Sequence, residues 1–220
     1  MDIFFFELVM SSAYGAQEND ISLPLIPSLP FCLTSTFTPS PSLSESLYLS
    51  QVTKDDEKEN EIMRNALNYE IRKGNTYPQE KEMTPSQFRS YFFSHYAFAA
   101  KTESGEIYGF FYIKPNFPGR SSHICNGGFI VLSTHQGKGV GKLMAQAYLY
   151  LARDLGFRGS FFNLVYESNV PSLRLWDRLG FTRAGRLPKA GRLLNGNGDE
   201  EYIDAIQIHY DLTTLGPTPF

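Results

Sequence analysis

The stretch Gln136-Gly-Lys-Gly-Val-Gly141 decides how the chain is read. It follows a strand-like run from about His123 to Leu132 and opens a long helical pattern. In that pattern Val140, Leu143, Met144, Ala147, Leu151 and Leu155 keep the 3.6-residue period, and Gly156 stands at C′. Unpaired N–H groups at a helix N-terminus, helped by the helix dipole, attract phosphate. Gly139 and Gly141 let a ligand approach the main chain, and Lys138 and Lys142 add positive charge. A P-loop needs GxxxxGK[ST], but Gly137 to Gly141 is one residue short and Leu143 stands where Ser or Thr belongs. A dinucleotide fingerprint needs GxGxxG, and here the third glycine comes one residue early. The pattern [QR]xxGx[GA] is met by Gln136, Gly139 and Gly141. The hexamer alone does not separate that site from a tight turn without a ligand.

Outward from the turn, the expected organisation is a mixed α/β order. Upstream, Tyr96–Ala100 and Ile107–Ile113 read as a hairpin around Glu103-Ser-Gly105. Gly127-Gly128 interrupts the next strand and predicts a bulge or a close backbone approach. A helix should begin in the acidic stretch Lys54–Glu61, run through Ile62, Met63, Ala66, Leu67 and Ile71, and stop at Gly74. A second should start at Pro85, with Phe88, Tyr91 and Phe92 forming a core stripe. Downstream, Phe161–Tyr166, Thr182–Leu187 and Tyr202–Leu212 read as strands, and Pro171 starts a short helix that ends at Gly180. From Ile21 to Ser50 the only charge is Glu45, and five prolines exclude a long helix, which leaves a loosely ordered arm or an irregular edge segment with one short strand at Leu47–Val52. The expected division is therefore an irregular, loosely ordered arm over residues 1–50, one domain over 51–213, and a tail over 214–220.

Downstream of the turn stands Asn169-Val-Pro-Ser-Leu-Arg-Leu-Trp-Asp-Arg-Leu-Gly-Phe181. Together the two segments resemble the Gcn5-related N-acetyltransferase (GNAT) superfamily over about Tyr96–Leu212. The flanks Gly74-Asn-Thr-Tyr-Pro-Gln79, Phe111-Tyr-Ile-Lys-Pro-Asn116, Ser122-His-Ile-Cys-Asn-Gly-Gly-Phe129 and Phe162-Asn-Leu-Val165 are similar to a narrower branch, the fungal N-acetyltransferases of L-azetidine-2-carboxylate and other proline analogues. The similarity extends through Leu175–Leu179 and Ala190-Gly191.

The resemblance implies a central, mostly antiparallel mixed sheet that splays between its fourth and fifth strands and is flanked by helices. It implies acetyl-CoA as co-substrate and direct attack by the acceptor amine. The backbone of Ile130, Val131 and Leu132 would pair with the pantetheine arm. Gln136, Gly137, Lys138, Gly139, Val140, Gly141 and Lys142 would hold the pyrophosphate. Asn169 would bond a pantetheine amide, although an N-cap beside Pro171 is its plainer role. Asn126 and Asn163 are amides inside apolar strands. They are either satisfied structural groups or, by resemblance, the catalytic and acceptor-binding pair, with the Leu164 backbone helping to hold an acceptor carboxylate. An amide does not take a proton near pH 7, so deprotonation runs through water or another group; His123 and Glu167 are candidate bases, with a surface or loop position as the plainer reading of each. Trp176 stands where many members carry a tyrosine acid, and packing explains it equally well. A Cys125 nucleophile is unneeded for direct transfer.

Composition narrows the partners. Net charge is −3, with 20 Lys+Arg against 23 Asp+Glu, which argues against a dedicated nucleic-acid binder. Two cysteines and four scattered histidines give neither a disulfide scaffold nor a metal-ligand spacing, so no metal is expected. No apolar run approaches the ~20 residues of a membrane span. Met1–Met10 lacks a basic leader region and reads as neither signal nor anchor. The expected address is the cytoplasm, with mitochondrion and nucleus as alternatives. The expected partner is a small amine or imino acid, and the resemblance suggests a homodimer. A silent acetyl-CoA-binding module and a peptide N-acetyltransferase are the competing readings.

Overall fold

A computed structural model describes residues 24–220. The strands are β1 (Phe31–Cys32), β2 (Tyr48–Val52), β3 (Tyr96–Lys101), β4 (Ile107–Pro115), β5 (Ile124–Asn126), β6 (Phe129–Val131), β7 (Gly159–Tyr166), β8 (Thr182–Leu194) and β9 (Glu200–Asp211). The helices are α1 (Leu33–Thr36), α2 (Glu57–Lys73), α3 (Pro85–Phe92), α4 (Val140–Asp154) and α5 (Val170–Arg178). The strands form one sheet in the order β1-β2-β3-β4-β5-β7-β9-β8, with β6 also paired to β4. Every pairing is antiparallel except β5 with β7. This is the expected mixed sheet flanked by helices.

The splay arises where the glycines interrupt the strand. β5 pairs with β7 only at Ile124–Gly159 and Cys125–Ser160. After Gly127-Gly128 the chain resumes as β6, which follows β4 and leaves β7 behind. Packing requires both glycines: a Cβ at Gly128 would stand 2.6 Å from the Tyr112 ring, and one at Gly127 would stand 2.8 Å from Tyr148. β6 therefore carries an open backbone edge. Leu132 N–H donates to Tyr108 and Gly128 C=O accepts from Tyr112. The antiparallel alternation then gives Ile130 to Phe110, so the main-chain groups of Phe129 and Val131 face the gap.

Two apolar layers cover the sheet. On one face α4 buries Leu143, Met144, Ala147, Tyr148 and Leu151 against Phe98, Phe111 and Phe162. On the other, Met63, Leu67 and Ile71 of α2 and Phe88 and Phe92 of α3 pack on Phe110 and Tyr112. α2 stops at Gly74, which takes the left-handed conformation at φ 65°. α3 opens with a capping box in which Thr84 and Gln87 exchange hydrogen bonds. Ile62, placed on the buried stripe by periodicity, is 36% exposed, and Asn60 and Asn68 are buried instead. Asn68 is satisfied by exchanging hydrogen bonds of 2.8 and 3.0 Å with the Met83 main chain.

Over residues 24–50 the structure has the edge-segment alternative and not a loose arm, and the short strand read at Leu47–Val52 is β2. β1 and β2 extend the sheet beyond β3, and Leu33, Leu47 and Leu49 are fully buried in the α4-side core. The packed domain thus begins well before residue 51. The rest of the arm, residues 1–23, lies outside the described residues. The tail is also attached, with Phe220 stacked on Phe31 at 3.8 Å. β8 runs past Leu187 to Leu194, absorbing Pro188 through a register shift before Gly191. Its end closes on α2: Leu194 N–H donates to the Gly74 carbonyl, and Arg192 pairs with Glu80.

Candidate active site

The gap between β6 and β7 is the floor of a cleft of about 960 Å³. One end is the glycine turn. Gly137 and Gly139 both take positive φ, at 77° and 83°, and α4 starts at Val140. Lys142 and Leu143 send their N–H groups back to Gly139, and among the described residues the N–H groups of Val140 and Gly141 have no main-chain partner, as expected of a helix start. The segment before β2 braces the turn from outside. A Cβ on Gly139 would lie 2.7 Å from the Ser40 Cβ, and Lys142 Nζ donates to the Thr38 carbonyl at 3.5 Å.

Of the residues singled out from the sequence, Asn126, Ile130, Val131, Gln136, Gly137, Gly139, Val140, Gly141, Lys142, Asn163, Leu164 and Asn169 all line this cleft. Leu132 and Lys138 do not. Leu132 has its N–H in the pairing with β4, and Lys138 turns back toward His135 Nδ1 at 3.4 Å and the face of Tyr108. Gln136 Nε2 donates to the Val131 carbonyl at 3.2 Å, which ties the end of β6 to the turn. Asn169 caps α5, its Oδ1 accepting from Ser172 N–H at 3.2 Å while the residue also borders the cleft.

At the other end, β7 bulges. Phe162 pairs with Ile208 and Val165 with Ile206, so Asn163 and Leu164 together oppose Gln207. The bulge frees their main chain toward the cleft, and Leu164 is 39% exposed. Asn126 and Asn163 do not touch; Asn116 joins them. Its Oδ1 accepts from Asn126 Nδ2 at 3.0 Å and from Asn163 Nδ2 at 2.6 Å, and its Nδ2 donates to Asn163 Oδ1 at 3.1 Å. Asn116 is 4% exposed, so its amide must be satisfied inside the protein. This arrangement fixes the amide orientations, with Asn126 presenting its carbonyl oxygen and Asn163 a second N–H.

One wall of the cleft was not read from the sequence. Glu70, Lys73, Thr76 and Tyr77 reach the cleft from α2 and the loop after it, and Tyr91 and Tyr112 from α3 and β4. Tyr91 packs on the core cluster of Phe88 and Phe92, as its stripe predicts, and also lines the cleft, meeting Tyr112 hydroxyl to hydroxyl at 3.2 Å. Burial pushes the phenols of Tyr77 and Tyr112 well above the usual tyrosine range. Behind them, Lys114 lies over the rings of Tyr112 and Tyr91, 4.4 and 4.5 Å from their centres, and burial lowers its ammonium to about 8. Asn116 and Tyr77 belong to the flanks that carried the narrower resemblance. Glu70 had no local signal beyond a helix position.

Several expected chemical roles have other occupations. Cys125 is buried, hydrogen-bonded to Tyr148 at 3.2 Å, and its thiol is pushed up to about 12 by desolvation, so it is inert as a nucleophile. Trp176 Nε1 donates to Ser172 Oγ at 3.1 Å and its ring packs among Phe129, Phe162 and Phe181. His123 and Glu167 do not line the cleft; Glu167 pairs with Arg186 at 3.0 Å. Among the described residues there is no metal-ligand cluster and no helix long and apolar enough to cross a membrane.

Comparison with known proteins agrees with this geometry. Residues 64–181 match the model of the acetyltransferase (GNAT) family. The N-acetyltransferase aca1 of Schizosaccharomyces pombe is 44% identical over 166 residues, which cover 68% of this chain and 78% of that protein. Protein SPT10 of Saccharomyces cerevisiae is also 44% identical over 107 residues, 49% of this chain, which span only 16% of its own length. A GCN5-related N-acetyltransferase from Kribbella flavida superposes with a TM-score of 0.68 at 26% identity, covering 75% of this chain and 97% of that one. A phosphinothricin acetyltransferase from Sinorhizobium meliloti, solved with AcCoA, superposes at 0.65 and 18% identity over 78% and 93% of the two chains. With a splayed sheet, a glycine turn at a helix start and a family match over more than half its length, the chain belongs to the acetyltransferase (GNAT) family and is a GNAT-type N-acetyltransferase.

Proposed function

We propose that the chain transfers acetyl from acetyl-CoA to the amine of a small carboxylated acceptor, an imino acid of the azetidine-2-carboxylate or proline-analogue type. The observation that carries this reading is the asparagine triad. It sets two amides in fixed orientation beside the free main chain of the β7 bulge. Asn163 Nδ2 and the Leu164 N–H are donors suited to a carboxylate. The Asn126 carbonyl oxygen is an acceptor suited to the N–H of the attacking nitrogen.

The cofactor end fits acetyl-CoA. The first N–H groups of α4, the small Gly139 and Gly141, and Lys142 suit a pyrophosphate, and the open edge of β6 at Val131 suits the amides of a pantetheine arm. Bound acetyl-CoA supplies the activated thioester carbonyl. Trp176 has committed its N–H to Ser172 and serves as packing.

The test is thiol release from acetyl-CoA against an amine panel. Azetidine-2-carboxylate and related imino acids should turn over, while azetidine and pyrrolidine should fail, because the carboxylate donors would be left unpaired. Equal turnover of the decarboxylated amines would refute the carboxylate pocket.

A further inference from the structure

We propose that Glu70 is the group that takes the proton from the acceptor's ammonium, an inference that rests on the acceptor reading above. Asparagine cannot do so, and an amine must lose its proton before it becomes a nucleophile. Among the described residues, Glu70 is the only carboxylate that lines the cleft. It sits near the end of α2, 8% exposed.

The other titratable groups along the cleft belong to its other end or are chemically unsuited. His135 belongs to the glycine-turn end, and its two ring nitrogens contact Glu106 and Lys138. The phenols of Tyr77, Tyr91 and Tyr112 are held neutral by burial. Lys73 donates to both Glu70 oxygens, at 3.0 and 3.3 Å. The groups that face Glu70 are thus Lys73 on its own helix and Thr76 and Tyr77 on the following loop, with Thr76 Oγ1 at 3.4 Å. Lys114 lies beyond the tyrosines, which separate it from the cleft. A carboxylate that lines the same cleft as the amide triad, held in place by Lys73 and Thr76, is suited to both holding and deprotonating a cationic amine.

The balance for a secondary amine is as follows. One proton passes from nitrogen to a Glu70 carboxylate oxygen and on to solvent. The freed lone pair forms the N–C bond to the acetyl carbon while the C–S bond breaks, its electron pair leaving on sulfur. The second nitrogen proton neutralises that thiolate. The products are the N-acetylated acceptor, the CoA thiol and one proton.

The experiment compares pH profiles of kcat/KM for acceptors with different amine pKa values, such as proline analogues with and without ring fluorination. In the wild-type protein the acid limb should stay in place across the series, because it belongs to the protein and not to the acceptor. In Glu70→Gln the limb should move with the acceptor's own pKa, and the rate at pH 7 should fall by about 10²–10³-fold. That loss should shrink as solvent supplies free amine at high pH. Calorimetric affinity for acetyl-CoA should stay within twofold, which separates loss of the base from loss of the fold. The wild-type comparison needs no variant, so the proposal stays testable if Glu70→Gln misfolds. A wild-type limb that tracks the acceptor, or a pH-independent loss in the variant, would overturn it. Turnover confined to polyamines or peptides would discard the imino-acid acceptor while leaving the Glu70 profiles to be measured on those amines. A wild-type protein inert toward every amine would sink both proposals.

Discussion

The two ends of the cleft are made of different material. At the α4 end the polar groups are main-chain N–H, held by a turn whose glycines admit positive φ, and side chains contribute only Lys142 and the tie from Gln136. At the β7 end they are side chains: three amides in one network and a wall of phenols around Glu70. A main-chain site is shaped by absence of bulk and keeps its chemistry under most substitutions. A side-chain site is shaped by identity, so one exchange can alter what it accepts while the other end goes on binding the same ligand. One fold can in this way keep its donor and change its acceptor.

The largest effect should come from bulk and charge at the main-chain end. A Cβ at Gly141 meets only Val131 and Leu175, at 3.7 and 3.9 Å, so Gly141→Ala should fold and bind acetyl-CoA nearly normally. Gly141→Glu should abolish binding by calorimetry, since its carboxylate would face the pyrophosphate. Unaltered affinity in a folded Gly141→Glu protein would show that the turn is not the cofactor site, and the contrast between the ends would collapse.

Next is the hub of the side-chain end. Asn116→Leu removes the partner of two amides and leaves them free to rotate. We expect kcat to fall by roughly 10–10²-fold, equivalent to about 1.4–2.7 kcal/mol in the barrier, with acetyl-CoA affinity unchanged. A parallel loss of acetyl-CoA binding would mean that the ends are not independent.

The smallest effect should be at Trp176. Trp176→Phe keeps an aromatic body among Phe129, Phe162 and Phe181 and loses one hydrogen bond to Ser172. The rate should drop less than about tenfold, the range of a single hydrogen bond and a packing defect. A kcat loss beyond ~10² in a folded variant would restore an acid role to the indole.

The same division governs what could be read from the amino acids alone. The glycine turn, α4, the β3–β4 hairpin and the glycine interruption before β6 are local in sequence, and period, spacing and turn chemistry disclose them. The triad is not local: Asn116, Asn126 and Asn163 come from a loop and two strands, up to 47 residues apart. Asn126 and Asn163 stood out as amides in apolar strands, but nothing in a Pro/Gly/Asn loop distinguishes Asn116 from an ordinary turn residue. Tyr91 shares its helical stripe with Phe88 and Phe92, so periodicity assigns it to the core and gives no sign that it also lines the cleft. Over residues 24–50 the alternation of Leu47, Leu49 and Val52 disclosed the short strand, while charge and proline content gave no sign that Leu33 would be buried with it against α4. β8 seemed to end at Leu187 because Pro188 breaks the ladder, yet the strand resumes after a register shift.

The brace on the glycine turn has a consequence for how the protein is made. Thr38 and Lys142, which meet there, are 104 residues apart. During synthesis the bracing segment emerges first and must wait for α4, about 5–20 s at ordinary elongation rates. Throughout that wait Leu33, Leu47 and Leu49 lack the helix that buries them, and the loop they must close is long. The N-terminal segment is therefore the part of the chain with most reason to meet a chaperone. Competence to bind a phosphate should appear late, as a sign that the first-made and later-made parts have joined.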